Sequence, residues 1–372
     1  MDERVDQKYK NKHFPPSYFK SKPANPNPSN AAVTVPNPAH HSLDGPPQTI
    51  KQLIAGFAGL AIEAAPPAVE GIPAPPCPLA DLPDEILVNI FQELAVIDVA
   101  SFVRLAQVCK KMAYLVASEE QIWKRICLGS EVGFGAMHYD WQREVLGAPL
   151  QKVDDDPEEE VAQTLSKEAI TEALYHGGYS ASWHLMFRTR PRIRFNGCYI
   201  STVNYMRAGQ ASSMQVTWNS PVHIVTYYRY LRFFRDGTVI SLLSTTEPAD
   251  VVHHLTKELQ ESHRGGANAH LPSIVMQNAL RGRWRLSTAT DNPDADLKDA
   301  EGDVFIETEG ASAKYMYRMK LGQGKAGKAR NNKLIWKGFW NYNLLTDDSG
   351  EFTLRNDKAF FWSRVKSYGD GA

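Results

Sequence analysis

The sequence has few features of secreted or membrane-spanning proteins. Its four cysteines among 372 residues are widely spaced, and none forms a Cys-x-x-Cys pair. This argues against a disulfide framework or a zinc site, so reduced thiols are expected. The N-terminus, MDERVDQKYKNKH, is too charged for a signal peptide, and no apolar run approaches the roughly 18 residues of a membrane span. We therefore expect a cytoplasmic or nuclear protein, or one in both places, without a transmembrane segment.

Catalytic and cofactor-binding motifs are scarce as well. The sequence has neither GxSxG nor HExxH. Residues 322–328, GQGKAGK, match phosphate-loop strings, but Ala329 follows the lysine and the chain continues into a predicted strand instead of a helix. The formal net charge of −1 weakens the case for nucleic-acid binding. The predictions are accordingly no catalytic residue, no metal, no cofactor and no nucleic-acid partner.

The chain length favours two domains with linkers over a single core. Residues 1–48 have few large apolar side chains and are predicted to be largely disordered. Residues 49–65 have the spacing of a short amphipathic helix. Residues 66–80 are rich in proline, which predicts a semi-stiff linker.

Residues 81–128 contain the patterns of three short helices. Pro83 suits a first helical position, Asp98 an N-cap of the second helix, and Ser118 a cap of the third. Apolar residues cover well over half the circumference of the second helix. A unit of fewer than about 50 residues cannot bury so much surface within itself, so the pattern predicts helix docking on a partner. The alternative is a self-contained bundle within a larger domain.

This stretch resembles an F-box at three landmarks: Leu82-Pro83-Asp84-Glu85-Ile86-Leu87, Leu105-Ala106-Gln107-Val108-Cys109-Lys110, and Trp123. The resemblance implies docking on the Skp adaptor of an SCF-type ubiquitin ligase and, through it, association with cullin and RING subunits. The predicted adaptor-binding residues are Leu82, Pro83, Ile86, Leu87, Ile90, Phe91, Leu105, Val108, Cys109 and Trp123.

The rest of the chain changes from helical to strand periodicity. Residues 129–190 are predicted to form a helical linker, with a helix over 139–146 and an acidic loop, DDDPEEE, at 154–160. From residue 191 to 368 the apolar period is two, and about nine antiparallel strands are expected. The side chains predicted to face the core on two of these strands are Tyr315, Tyr317, Met319, Leu321, Leu334, Trp336, Trp340 and Tyr342.

These patterns predict an α+β multidomain protein, in which a small three-helix F-box precedes an antiparallel β-barrel. Closing the sheet is the most complete way to remove its exposed edges, so a lipocalin-like barrel is favoured. A β-sandwich is the alternative, because strand spacing alone does not separate the two.

The strand region carries a second resemblance. Residues 190–201, 227–233 and 282–284 are similar to the C-terminal domain of F-box only protein 9 and its fungal Hrt and Pof relatives. In those relatives a tetratricopeptide-like segment precedes the F-box, and here only residues 2–10 resemble the end of one. The resemblance implies a non-catalytic substrate-recognition subunit that links the Skp adaptor to an unknown protein for ubiquitination and proteasomal degradation. The alternative is a barrel that binds a small ligand or lipid and is tethered by an F-box-like module.

Arginines and tyrosines alternate along the first strands. Arginines are the natural bidentate partners of carboxylates and phosphates, so these residues could bind an acidic or phosphorylated segment. The alternative is that the apolar parts of these side chains pack in the core while their polar ends stay solvated or paired. The predicted substrate-binding residues are Arg192, Arg194, Tyr228, Tyr230, Arg232 and Trp284.

Overall fold

A computed structural model describes residues 61–62, 77–150, 167–208, 222–266, 269–296, 298–369 and 371 of the chain. The predictions for residues 1–48 and for the acidic run at 154–160 lie outside this range, as do most residues of the predicted amphipathic helix and linker. None of the helices in these ranges is long and apolar enough to cross a membrane.

The described residues before the sheet form short helices. They are α1 Asp84–Ile97, α2 Val99–Arg104, a 3-10 turn Leu105–Gln107, α3 Lys110–Ser118, α4 Glu120–Leu128, α5 Lys167–Gly177 and α6 Trp183–Thr189. Asp98 caps α2, because its carboxylate accepts a hydrogen bond from the Ala100 amide at 3.0 Å.

Three details of the helix prediction require correction. The predicted second helix is divided into α2, the 3-10 turn and α3, since Cys109 has an extended backbone (φ −153°, ψ 167°). The Ser118 hydroxyl does not cap α4 but donates to the carbonyl of Tyr114. Residues 139–146 form no helix; Arg143 instead forms an isolated β-bridge with Pro149.

In the part of the chain that the structure describes, nine strands follow: β1 Gly197–Ala208, β2 Val222–Phe233, β3 Thr238–Ser244, β4 Leu280–Leu286, β5 Asp303–Glu309, β6 Tyr315–Ala326, β7 Ala329–Asn343, β8 Ser349–Glu351 and β9 Phe360–Arg364. β1 to β7 pair in sequence, and β9 joins β7 to β1. Eight antiparallel strands therefore form a closed barrel, with β8 as a short addition to β7. The prediction of a barrel is confirmed.

A β-bulge shifts the faces of β7. Lys320 pairs with Gly338 but Leu321 pairs with Trp336, so Lys337 is an extra residue in β7. Even-numbered side chains such as Leu334 and Trp336 face the core before the bulge, and after it the odd-numbered Phe339 does. The prediction that Trp340 and Tyr342 share the face of Trp336 was wrong for this reason.

Short helices cover part of the barrel's outer surface. They are α7 Pro248–Val251, a 3-10 turn Val252–His254 and α8 Lys257–Ser262, and they do not form one continuous helix because Leu255 leaves the helical region. With a further 3-10 helix, Pro272–Asn278, they form a second core over β1, β2 and β3.

The helices and the barrel share one hydrophobic core, joined at Arg190. The Arg190 side chain is fully buried and donates to both oxygens of Glu301, from Nε at 2.7 Å and from Nη2 at 2.9 Å. It also donates to Thr171 on α5 at 3.0 Å and to the Tyr139 hydroxyl at 2.7 Å. Asn331 on β7 donates to the Arg190 carbonyl at 2.9 Å. One side chain thus connects α5, the segment before it and the barrel.

Replacing Glu301 by Ala is expected to lower the free energy of unfolding by about 3–5 kcal/mol, because the Arg190 charge would remain buried without its partner. Replacing Glu131 by Ala is the matched control, since its ion pair with Arg125 is about 40% exposed. Such a pair contributes at most about 1 kcal/mol. Urea unfolding of both variants makes the comparison, and equal losses would contradict the role given to Arg190.

Candidate functional site

The first three helical segments leave an apolar surface uncovered. Ile86 and Ile90 on α1 are 45% and 46% exposed, and Val108 after the 3-10 turn is 65% exposed. Pro83, three residues before Ile86, is also exposed. Leu82, Leu105 and Cys109 are half-buried. We call these seven residues the apolar helical face.

The spacing along α1 explains why Ile86 and Ile90 are exposed. At about 100° per residue they lie within about 40° of one another on the helix surface. Leu87, Phe91 and Ala95 follow the neighbouring stripe and are buried. α1 therefore buries one stripe and presents the other.

An ion pair connects the two parts of the face. Nζ of Lys111, at the start of α3, lies 2.5 Å from Oδ2 of Asp84 at the start of α1. This contact places Val108 and Cys109, just before α3, at the same end of the unit as Pro83 and Ile86.

Three predicted adaptor-binding residues lie in the core and require correction. Leu87, Phe91 and Trp123 are 1%, 3% and 2% exposed. The Trp123 indole donates to the Val116 carbonyl at 2.8 Å, and its ring contacts Phe102 edge-on with centroids 5.5 Å apart. These side chains hold the helices together and offer no surface to a partner.

Two exposed apolar residues were missed by the sequence reasoning. Ile97 at the end of α1 is 73% exposed, and Val103 on α2 is 43% exposed. They border a cleft of about 590 Å³ that also contains Arg194 and Trp362 of the barrel region. Ile97 has the same helical phase as Ile86 and Ile90, so the spacing could have identified it.

Comparison with known families assigns both regions. Residues 79–129 match the F-box-like family, and residues 172–297 match the F-box only protein C-terminal region. The chain carries an F-box-like domain followed by an F-box only protein C-terminal region. The second match ends between β4 and β5, so the second half of the barrel lies beyond it.

Two curated fungal proteins are similar over most of the chain. F-box protein HRT3 of Saccharomyces cerevisiae is 29% identical over 303 residues, which are 79% of this chain and 72% of that protein. F-box protein pof7 of Schizosaccharomyces pombe is 28% identical over 290 residues, which are 77% of this chain and 66% of that protein. No solved structure is significantly similar to the chain.

The six predicted substrate-binding residues of the C-terminal region lie in three separate places. Arg192 and Arg194 lie next to the F-box-like domain, where Arg192 stacks on Phe187 and Arg194 donates to the Arg330 carbonyl at 2.8 Å. Tyr228, Tyr230 and Arg232 belong to the outer face of β2 beneath the short helices. Trp284 is in the barrel interior.

Burial removes three of these residues from any substrate-binding surface. Tyr230, Arg232 and Trp284 are 0%, 5% and 0% exposed. Each also donates one hydrogen bond to a main-chain carbonyl: Tyr230 to Thr246 at 2.8 Å, Arg232 to Leu255 at 2.6 Å and Trp284 to Phe234 at 3.0 Å. The arginine and tyrosine pattern therefore reflects packing of amphipathic side chains at these positions.

The two buried cysteines, Cys127 and Cys198, lack the low thiol pKa of a nucleophilic cysteine. Burial raises the pKa of the Cys127 and Cys198 thiols to about 12. Cys77 and Cys109 are half-buried. Among the residues that the structure describes, no group of three or more His, Cys, Asp or Glu side chains could hold a metal ion.

The thiol environments predict two reactivity classes. In the folded protein at pH 8, Ellman's reagent is expected to modify Cys77 and Cys109 quickly and Cys127 and Cys198 slowly, because the latter are buried and protonated. All four should react at similar rates in guanidinium chloride. Fast reaction of all four in the folded protein would contradict the burial described here.

Proposed function

We propose that the protein is the substrate-recognition subunit of an SCF-type ubiquitin ligase. Its F-box-like domain would dock on the Skp adaptor, and its C-terminal region would hold a target protein for ubiquitination and proteasomal degradation. The observation that carries the proposal is the apolar helical face, whose Ile86, Ile90 and Val108 the described residues leave exposed in a region that matches the F-box-like family.

The exposed residues of the face have the chemistry of a docking surface. Complete burial of one isoleucine or valine side chain contributes about 1.5–3 kcal/mol relative to full exposure, and these residues are about half exposed. Leu82, Leu105 and Cys109, which are half-buried, would extend the contact. A few such anchors can provide most of the affinity of an interface.

Rigid attachment of the two regions supports a bridging role. Glu120 on α4 accepts hydrogen bonds from the Trp183 amide at 2.8 Å and the Ser182 hydroxyl at 3.1 Å. Trp123 stacks on His184 of α6 with centroids 4.4 Å apart. A target held by the barrel region would thus keep a defined position relative to the adaptor, so the chain would contribute proximity and orientation, not bond-making groups.

The double variant Ile86→Ser/Ile90→Ser is expected to weaken binding to purified Skp adaptor at least about 100-fold, because it removes about 3 kcal/mol of apolar burial. Isothermal titration calorimetry with the full chain measures the affinity, and circular dichroism checks the fold. The matched control is Ile224→Ser/Ile335→Ser, which changes two exposed isoleucines of the barrel, 71% and 44% exposed.

The control variant should bind the adaptor as the unaltered chain does. Equal affinity of the α1 variant and the control would refute the proposed docking face. Loss of binding in both would show that the adaptor contacts the barrel as well, which the proposal does not allow.

A further inference from the structure

The end of the barrel away from the F-box-like domain contains a cavity of about 540 Å³. Its walls include five aromatic residues: Tyr317, Trp336, Phe339, Phe352 and Phe360. Pockets that enclose small molecules have volumes of about 300–1,000 Å³ and mostly apolar walls with a few polar groups. The cavity has the size and composition of such a pocket.

The two ends of the barrel interior are packed differently. Toward the F-box-like domain, Phe233, Trp284, Leu286 and Leu321 are each 0% exposed and fill the space. Toward the cavity, Tyr317 and Trp336 are only partly buried. Protein interiors are normally filled to the density of organic crystals, so a space of this size is an exception within the same barrel.

A segment between β8 and β9 shapes the entrance. The Phe352 amide donates to the Phe339 carbonyl at 2.8 Å, and the Trp336 indole donates to the Lys358 carbonyl at 3.0 Å. Phe352 is 39% exposed, and Leu243 on the opposite rim is 49% exposed. The cavity is thus open to solvent between these two side chains.

The cavity contains one pair of opposite charges. Nε of Arg229 lies 3.1 Å from Oδ1 of Asp357, and the two side chains are 21% and 11% exposed. These two atoms are in ionic contact, but their orientation is not that of a hydrogen bond, and neither atom has another hydrogen-bond partner among the described residues. The guanidinium also lies over Trp336 and Phe339, at 5.6 and 5.4 Å from the ring centroids.

This pairing sets the charge of a suitable ligand. Among the described residues that line the cavity, Arg229 and Asp357 are the two charged ones, so these walls have no net charge. An anionic group would compete with Asp357 for the guanidinium and would lie near its carboxylate, and a cationic group would meet the converse problem. An uncharged ligand leaves the pair intact.

We propose that the open end of the barrel binds an uncharged small molecule that is mainly aromatic or aliphatic. Stacking on Trp336, Phe339 and Phe352 would hold its body. The polar atoms of Arg229 and Asp357 that face the cavity would fix its orientation. The site lies apart from the apolar helical face, and the inference does not depend on adaptor binding.

The test uses the full chain and two fluorescent probes with related ring systems. N-phenyl-1-naphthylamine is uncharged, whereas 8-anilinonaphthalene-1-sulfonate is an anion. The uncharged probe is expected to bind at least about tenfold more tightly, because the anion disturbs the charge pair. Equal affinities, or no binding of the uncharged probe, would overturn the proposal.

Two substitutions that narrow the cavity test whether the uncharged probe binds there. Ser241→Trp fills the space from β3 and should weaken binding of the uncharged probe at least about tenfold, and Leu243→Trp should do so from the rim. Ser349→Trp adds the same side chain on exposed β8 and should leave the affinity unchanged. Unaltered binding in both cavity variants, with their folds intact by circular dichroism, would overturn the assignment.

Asp357→Asn tests the role of the charge pair. It leaves Arg229 without an anionic partner, so the affinity for the anionic probe, relative to that for the uncharged probe, should rise at least about fivefold. No gain for the anionic probe would show that the pair does not set the ligand charge.

Discussion

The buried ion pair between Arg190 and Glu301 is the interaction on which the arrangement of helices and barrel depends. The Arg190 guanidinium also donates hydrogen bonds to Thr171 and Tyr139, which lie outside the barrel. Asn331 of the barrel donates to the main-chain carbonyl of Arg190. Burial of a charge is unfavourable unless the partners are complete, so the elements that supply them are constrained to one geometry. The helical unit and the barrel are consequently one body, with a continuous apolar core.

The contacts between the two regions leave one surface of each exposed, the apolar helical face on the first and the open end of the barrel on the second. α4 and α6 provide the contacts that attach the F-box-like domain, through Glu120 and Trp123. Ile86, Ile90 and Val108 are not needed for attachment and remain exposed. At the other end, the barrel interior opens into the cavity around Arg229. An adaptor on the apolar helical face and a ligand in the cavity, both as proposed, would therefore require no rearrangement of the core.

Periodicity predicted the element types well, because apolar spacing of helices and strands follows directly from backbone geometry. The period of two predicted the strands of the barrel, and residue type predicted the Asp98 cap. Spacing alone did not decide which stripe of α1 faces inward, so Leu87 was placed at the interface with Ile86. The bulge at Lys337 depends on how β7 pairs with β6. The hydrogen bonds of Arg190 depend on residues far apart in sequence. Neither has a local signal.

Hydrogen–deuterium exchange of the full chain, with and without Skp adaptor, tests the central claim most directly. Amides of α1 and of the turn before α3, residues 84–110, should exchange more slowly in the complex because the apolar helical face becomes covered. Strands β5 to β7 should exchange at the same rate in both samples. Protection of the barrel strands without protection of residues 84–110 would contradict the account.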